Sequence, residues 1–265
     1  MTPTSPASLF HAVRGALGFL SRLPVGQDER AWQAFRSTPA AFPLAGYAVG
    51  TAVALPVAVA AVVTTPVLAP TVAVAFPASV YGVTGIAHLD GLADLGDAAV
   101  VHGDANRRLS VARDSQVGVG GALSVALAVV GLALAGLALA TLAGGRGGLR
   151  AAGIVLAAEV GAKFGVVVVA ALGTPSHDGM GARVADGVGI GGTVLPAALS
   201  IPAAAATWPA PAAAVALVAG PLSALSVLWW ARSRLGGVNG DVFGAANELA
   251  RLAGLHAGVV VWTLS

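Results

Sequence analysis

The sequence predicts an all-α integral membrane protein, a polytopic membrane helix bundle with about six or seven transmembrane helices. The chain of 265 residues is 57% hydrophobic and only 10% charged, and its mean hydropathy is +0.84. Several apolar runs approach the roughly 20 residues that an α-helix needs to cross a bilayer. The alternation typical of strands is absent, and lipid offers no partner for backbone polar groups. With no long polar block, a single integral membrane domain over residues 1–265 is expected.

The candidate spans are apolar stretches bounded by breaking residues such as Gly and Pro. They lie near residues 40–63, 67–87, 118–142, 149–172, 189–207, 209–230 and 242–263. The region 189–230 is interrupted by Pro196, Pro202, Pro209 and Pro211, which would suit a re-entrant hairpin as well as two spans. Residues 1–38 are expected to form a cytoplasmic or interfacial segment, with an amphipathic helix over 8–20. Gly and Ala dominate most spans, which allows helices to pack closely in lipid.

The distribution of arginines predicts which helix ends face the cytoplasm. With a cytoplasmic N-terminus, all arginines except Arg146 and Arg150 fall on the inner side, as the positive-inside rule requires. Loops 88–117, 173–188 and 231–241 then share the cytoplasmic face of the cell membrane. The net charge of +2 is spread over loop ends, so no nucleic-acid binding is expected. Cysteine is absent, so any metal site must use oxygen or imidazole ligands.

The stretch HLDGLADLGD at 88–97 concentrates charge in a chain that has little of it. If this stretch is helical, Asp90, Asp94 and Asp97 stand at i, i+4 and i+7 and share one face. Three carboxylates so placed repel one another, and a hard divalent ion such as Mg2+ would stabilise them. An exposed acidic helix end, with Asp90 as an N-cap, is the alternative explanation.

Basic groups follow the acidic stretch within a few residues. The guanidinium groups of Arg107, Arg108 and Arg113 can each form paired hydrogen bonds with phosphate oxygens, and Asp114 adjoins the last of them. Metal-binding carboxylates beside phosphate-binding arginines suit phosphoryl transfer. His88 could act as a base, contact a phosphate or simply be an interfacial histidine.

A second polar motif, GGVNGDVFGAANELAR, occupies residues 236–251. Its glycines indicate a loop that enters a helix, whose free N–H groups would favour an anion. Asp241 and Glu248 are seven residues apart and share one face of that helix, and an ionisable residue at membrane depth indicates function. The alternative makes Asp241 an N-cap and Glu248 a partner of Arg251.

The fourth span carries two opposite charges, Glu159 and Lys163, at i and i+4. Their mutual neutralisation would explain both residues without a catalytic role. We therefore expect this pair to be structural.

Five motifs together resemble the cobalamin 5'-phosphate synthase family, also called the adenosylcobinamide-GDP ribazoletransferase family. The resemblance covers most of the chain, and the motifs follow the family's order. They are LGFLSRLPVG at 17–26, FPLAGYAVG at 42–50, GIAHLDGLADLGDA at 85–98, ARDSQVGVGG at 112–121 and RLGGVNGDVFGAANEL at 234–249.

The resemblance implies a multi-pass membrane enzyme that depends on Mg2+ and acts at the cytoplasmic face of the bilayer. It would join α-ribazole, or its 5'-phosphate, to adenosylcobinamide-GDP and release GMP. The residues that match the family's acidic, basic-Asp-Ser and closing motifs are His88, Asp90, Asp94, Asp97, Asp114, Ser115, Asp241 and Glu248. Two positions depart from the family: Asn239 stands where Thr is usual, and Arg251 stands where a second acidic residue is often found. A catalytic role at position 251 is therefore in doubt.

Roles follow from the residues and the resemblance together. The metal ligands are expected to be Asp90, Asp94 and Asp97, since carboxylates suit Mg2+. Substrate contacts are expected from Arg107, Arg108, Arg113, Ser115, Asn239 and Glu248. The catalytic candidates are Asp114, Asp241 and His88, and Asp97 could also accept a proton; the sequence does not rank these as the base.

Two other classes of protein remain open from the residues alone. A transporter would use the carboxylates as an ion site and the Gly/Pro-interrupted spans as broken helices. The clustering of charge at one face, rather than near the midplane, speaks against it. A CDP-alcohol phosphotransferase of phospholipid synthesis uses similar metal chemistry, but its motif is not matched because no Arg follows Ala93.

Overall fold

A computed structural model describes residues 6–26, 28–63, 68–176, 179–185 and 188–265, which form helices and no strand. The helices are α1 (Pro6–Leu20), α2 (Glu29–Arg36), α3 (Ala41–Val53), α4 (Leu55–Val62), α5 (Leu68–Thr84), α6 (Ala87–Val100), α7 (Ala105–Ala112), α8 (Val119–Leu142), α9 (Arg150–Leu172), α10 (Met180–Ala185), α11 (Val194–Ser200), α12 (Ala212–Leu235) and α13 (Gly240–Leu264). Short 3-10 turns flank α11 on both sides.

Four helical segments in the described ranges are long and apolar enough to cross a membrane. They are Val119–Gly145, Arg150–Leu172, Ile190–Thr207 and Ala212–Leu235. Two bent pairs, α3 with α4 and α5 with α6, raise the number to six if each pair counts as one span. These segments confirm the predicted polytopic helical bundle. The last predicted span forms α13, a helix of 25 residues that carries Asp241, Glu248 and Arg251 and does not qualify by apolarity.

Helix α9 lies at the centre of the bundle, where α3, α12 and α13 pack around it. Small residues make the contact close, because a Cβ atom on Gly161 would lie 2.5 Å from the backbone oxygen of Leu217 in α12. In lipid the hydrophobic effect does not hold helices together, so close packing at glycines stabilises their association instead. On the outside, α8 leaves large apolar side chains such as Leu127 exposed, as expected of a surface that faces lipid.

The N-terminal segment forms α1 and α2, which pack against each other. The helix expected over 8–20 is present as α1, and its interfacial position stays a prediction. Asp28 caps α2, because its Oδ1 accepts a hydrogen bond from the Ala31 N–H at 2.7 Å, and its other oxygen pairs with Arg14. His177 and Asp178, for which the surrounding sequence TPSHDGMG favours a turn, lie outside the described residues.

Helix α6, which carries the acidic stretch, turns away from α5 by 102°. The turn passes through Gly85, whose φ of +71° lies in the left-handed region that glycine tolerates. With 14 residues, α6 is about 21 Å long, too short to cross the hydrocarbon core of a bilayer. It therefore does not form a span of its own, and it packs mainly on α13 and α8.

A candidate acidic active site

The three aspartates of the acidic stretch lie on one helix, as their spacing predicts. Asp90 is exposed, Asp94 is half-buried and Asp97 is buried. The carboxylates therefore run from solvent into the packed side of α6.

Asp97 holds the beginning of α8. Its Oδ2 accepts a hydrogen bond from the Gly118 N–H at 2.7 Å, and its Oδ1 accepts one from the Gly121 N–H at 2.8 Å. The residues here have to be glycines, since a Cβ atom on Gly118 or Gly121 would lie within 2.5 Å of this carboxylate. Sequence reasoning missed this capping role, although the glycines of VGVGG were the signal for it. Asp97 as a metal ligand stays a prediction.

Helix α13 brings the second polar motif to α6. A Cβ atom on Gly91 would lie 2.8 Å from both the Cα and the backbone oxygen of Asp241, so the two backbones touch. Asn239 caps α13 by accepting a hydrogen bond from the Val242 N–H at 3.0 Å, and its Nδ2 donates to Asp241 Oδ2 at 3.1 Å. The acidic motif and the closing motif, about 150 residues apart in the chain, are therefore adjacent in the structure.

The electrostatics of this site favour a cation. Burial raises the pKa of Asp94 to about 7, and the negative charges of Asp241, Asp90 and Asp97 add to the effect. A divalent cation would stabilise the ionised form of a carboxyl group that burial and neighbouring negative charges otherwise make hard to ionise.

The donors fit Mg2+ as an open site. Within the described ranges, no three Asp, Glu or His side chains converge on one point as a closed metal cage would require. Mg2+ rarely uses such cages, because it keeps several waters and binds one or two carboxylates together with substrate phosphates. The exposed Asp90 and the half-buried Asp94, one helical turn apart, can supply those carboxylates, with Asp241 nearby.

The arginines near α7 divide into two kinds. Arg107 and Arg113 are exposed, as are Asp114 and Ser115, so they remain accessible to a phosphate. Arg108 differs from the expectation: it is buried, and its Nη1 donates to the carbonyl oxygens of Ala98 at 2.5 Å and Ala99 at 3.1 Å. These are unpaired carbonyls at the end of α6, so Arg108 acts there as a C-terminal cap. No pattern in the sequence predicts that Arg108 is buried while Arg107 is exposed.

A network of four buried charges lies below the acidic site. Arg251 in α13 pairs with Glu159 in α9 and donates from Nη1 to Glu248 Oε1 at 2.5 Å, and all three side chains are fully buried. Lys163 lies 3.4 Å from Glu159 and donates to Asn247 Oδ1 at 2.7 Å. The structure thus places Glu248 inside the bundle as a partner of Arg251, the alternative that its spacing allowed.

His88 connects the network to the acidic site. Its Nδ1 lies 3.2 Å from Asn247 Nδ2, while His88 also lines a cavity of about 240 Å³ together with Asp241. Burial, then the positive charges of Lys163 and Arg251, lower the pKa of His88 to about 3. The imidazole is therefore neutral at physiological pH and a weak base.

These features define a polytopic membrane enzyme with an acidic site at one end of its helix bundle. The chain belongs to the cobalamin-5-phosphate synthase family, whose family model matches residues 12–259.

Curated relatives named adenosylcobinamide-GDP ribazoletransferase match nearly the whole chain. The protein of Halorubrum lacusprofundi is 52% identical, with 95% of this chain and 98% of that protein covered. The protein of Haloquadratum walsbyi is 46% identical over 96% of this chain and 98% of its own length. That of Methanocella arvoryzae is 33% identical with the same coverage, 96% and 98%. No solved structure matches.

The contact between α6 and α13 predicts opposite effects for two Gly→Ala substitutions. Gly91→Ala should lower stability by about 1–3 kcal/mol, since the new methyl group meets the α13 backbone. Gly82→Ala is the matched control in α5, where a Cβ atom meets nothing within 4 Å; it should stabilise the protein by up to about 1 kcal/mol through helix propensity. Thermal unfolding in detergent compares them. A more stable Gly91→Ala protein would contradict the close contact.

The buried network predicts that Arg251→Met is strongly destabilising, by about 3–5 kcal/mol, because it leaves two buried carboxylates short of a cation. Arg150→Met makes the same change at an exposed position at the start of α9, and should stay within about 0.5 kcal/mol of the unmodified protein. Unfolding midpoints in the same detergent provide the measurement, and equal midpoints for both variants would be inconsistent with the pairing described.

Proposed function

We propose that this protein is a membrane transferase that joins α-ribazole, or its 5'-phosphate, to adenosylcobinamide-GDP with release of GMP. Adenosylcobalamin, or its 5'-phosphate, would be the product. The observation that supports this most directly is the meeting of α6 and α13 at Gly91, which brings Asp241 beside the carboxylates of Asp90 and Asp94. Membership of the family and the names of the relatives point to the same reaction.

The reaction is a displacement at phosphorus. A ribose hydroxyl oxygen of the ribazole attacks the phosphorus nearer to cobinamide, a new P–O bond forms, and the P–O bond to the leaving GMP breaks with its electrons on the GMP oxygen. Bound by Asp90 and Asp94, Mg2+ would neutralise the charge that develops on the diphosphate. The exposed Arg107 and Arg113 would orient the nucleotide phosphates through paired hydrogen bonds.

The hydroxyl proton needs an acceptor, and the structure offers grounds for ranking the four candidates. Both oxygens of Asp97 already accept backbone N–H groups, and neutral His88 is a weak base. Asp114 is exposed and accepts from the Gln116 N–H at 3.1 Å within its own loop. Asp241 lies next to Asp94 at the wall of a cavity, so we assign the proton to its carboxylate.

We place this site at the cytoplasmic face of the cell membrane. The positive-inside rule puts the loop of Arg107 and Arg113 on that side, and α6 emerges there with its acidic face. The GDP-activated substrate and the ribazole are water-soluble, so both would reach the site from the cytoplasm.

The test is turnover of adenosylcobinamide-GDP by the purified protein in bilayer nanodiscs. We expect GMP release to require both Mg2+ and ribazole, and we expect Asp94→Asn to lower kcat at least a hundredfold, since it removes one ligand from the metal. Asp104→Asn is the matched control, because Asp104 caps α7 and Asn caps a helix equally well; it should keep full activity.

Two results would count against the proposal, each against a different part of it. Turnover that persists unchanged in chelator or in Asp94→Asn would overturn the metal assignment. Uptake of labelled corrinoid into vesicles without chemical conversion would overturn the transferase function and indicate a transporter.

A further inference from the structure

A cavity of about 240 Å³ opens beside the acidic site, between α1, α3, α6, α9, α10 and α13. Its walls are mainly apolar and include three aromatic rings, those of Phe19, Phe42 and Phe243. Among the described residues that line it, only His88 and Asp241 have polar side chains. An apolar cavity with a few convergent polar groups is the usual form of a small-molecule site.

Hydrogen bonding fixes which polar group His88 can offer. The Lys163 ammonium only donates, so the atom of Asn247 that faces it at 2.7 Å is the acceptor Oδ1. The Nδ2 group of Asn247 then faces His88 and donates to Nδ1 at 3.2 Å. A ring nitrogen that accepts a hydrogen bond carries no proton, so the single N–H of this imidazole is on Nε2. The donor that His88 can offer to a molecule in the cavity is therefore Nε2–H.

Lys163 is itself held in place. It lies 3.4 Å from Glu159, which pairs with Arg251, and its side chain is fully buried. The orientation of the Asn247 amide is thus set by a fixed cation in the core, and the tautomer of His88 follows from it. Asn247 acts here as a positioning residue.

The cavity therefore suits a flat aromatic molecule that has one hydrogen-bond acceptor and no donor at that point. We propose that it binds the aromatic base of the ribazole, with the His88 Nε2–H donating to the ring nitrogen that carries no sugar. This inference rests on the proposed function. A benzimidazole base whose other nitrogen bears the ribose has one such acceptor nitrogen, and its ring can pack against the phenylalanine side chains.

The placement also connects the base to the reaction. Asp241 belongs both to the cavity wall and to the acidic cluster around Asp94. A base held in the cavity would direct its ribose past Asp241, toward the carboxylates that face the diphosphate.

The first experiment uses the unmodified protein in nanodiscs and two acceptors of the same shape. Benzimidazole riboside has the acceptor nitrogen, whereas indole riboside has a C–H group in its place. We expect KM for the indole riboside to be about tenfold higher, because its binding leaves the His88 N–H buried without a partner, with little change in kcat. Equal KM values would overturn the base pocket while the transferase function stands. If neither riboside is converted, the same comparison is made with the two riboside 5'-phosphates, and failure to convert these as well would overturn the proposed function and this inference with it.

The second experiment removes the donor and keeps the ring. In His88→Phe the two ribosides should have the same KM, whereas His256→Phe, the same change at an exposed histidine of α13, should keep the tenfold preference. Persistent preference in His88→Phe would overturn the assignment.

A third measurement does not depend on the activity of any variant. In protein labelled with 15N-histidine, NMR should show the proton of the His88 ring on Nε2, and the Nε2 signal should shift when benzimidazole riboside is added. Loss of a signal in His88→Phe identifies the residue. A ring protonated at Nδ1, or a signal that the riboside leaves unchanged, would contradict the proposal.

Discussion

The ion pair between Glu159 in α9 and Arg251 in α13 fixes the two helices on which the site depends. Both side chains are fully buried in a helix bundle where water is scarce, so neither charge is tolerable without its partner. Glu248 and Lys163 complete the set, and two carboxylates then balance two cations. Because this balance holds α13 in register with α9, it also fixes where the first turn of α13 presents Asp241.

Contacts above this network extend the same constraint to α6 and α8. Gly91 lets α6 touch the backbone of α13, and Asp97 ties the far end of α6 to the first turn of α8 through two backbone N–H groups. Arg108 closes the end of α6 by binding its last carbonyls. A short helix without a span of its own is thereby fixed on three sides, as the proposed site for a metal and a diphosphate requires.

Much of this arrangement could be predicted from the sequence because its signals are local. Apolar run lengths indicate the spans, and a spacing of four and three residues puts Asp90, Asp94 and Asp97 on one helical face. The contacts between distant segments could not be predicted in this way. Nothing local shows that Arg251 reaches Glu159, that Arg108 turns inward while Arg107 stays exposed, or that Asp97 serves the helix that follows. Glu248 is the clearest example of this limit. Its position at membrane depth predicted a functional group, whereas the structure shows it paired with Arg251, three residues further along the same helix.

The sharp turn at Gly85 determines how a large molecule meets this protein. Helix α6 turns away from α5 by 102°, and Asp90 is exposed on its outward side. This side of α6 is therefore an open surface and not the lining of a channel. A ligand far wider than any gap between helices can rest its charged portion there while its bulk stays in water. The membrane-spanning helices then anchor the site, and the size of the ligand is limited only by the space outside α6.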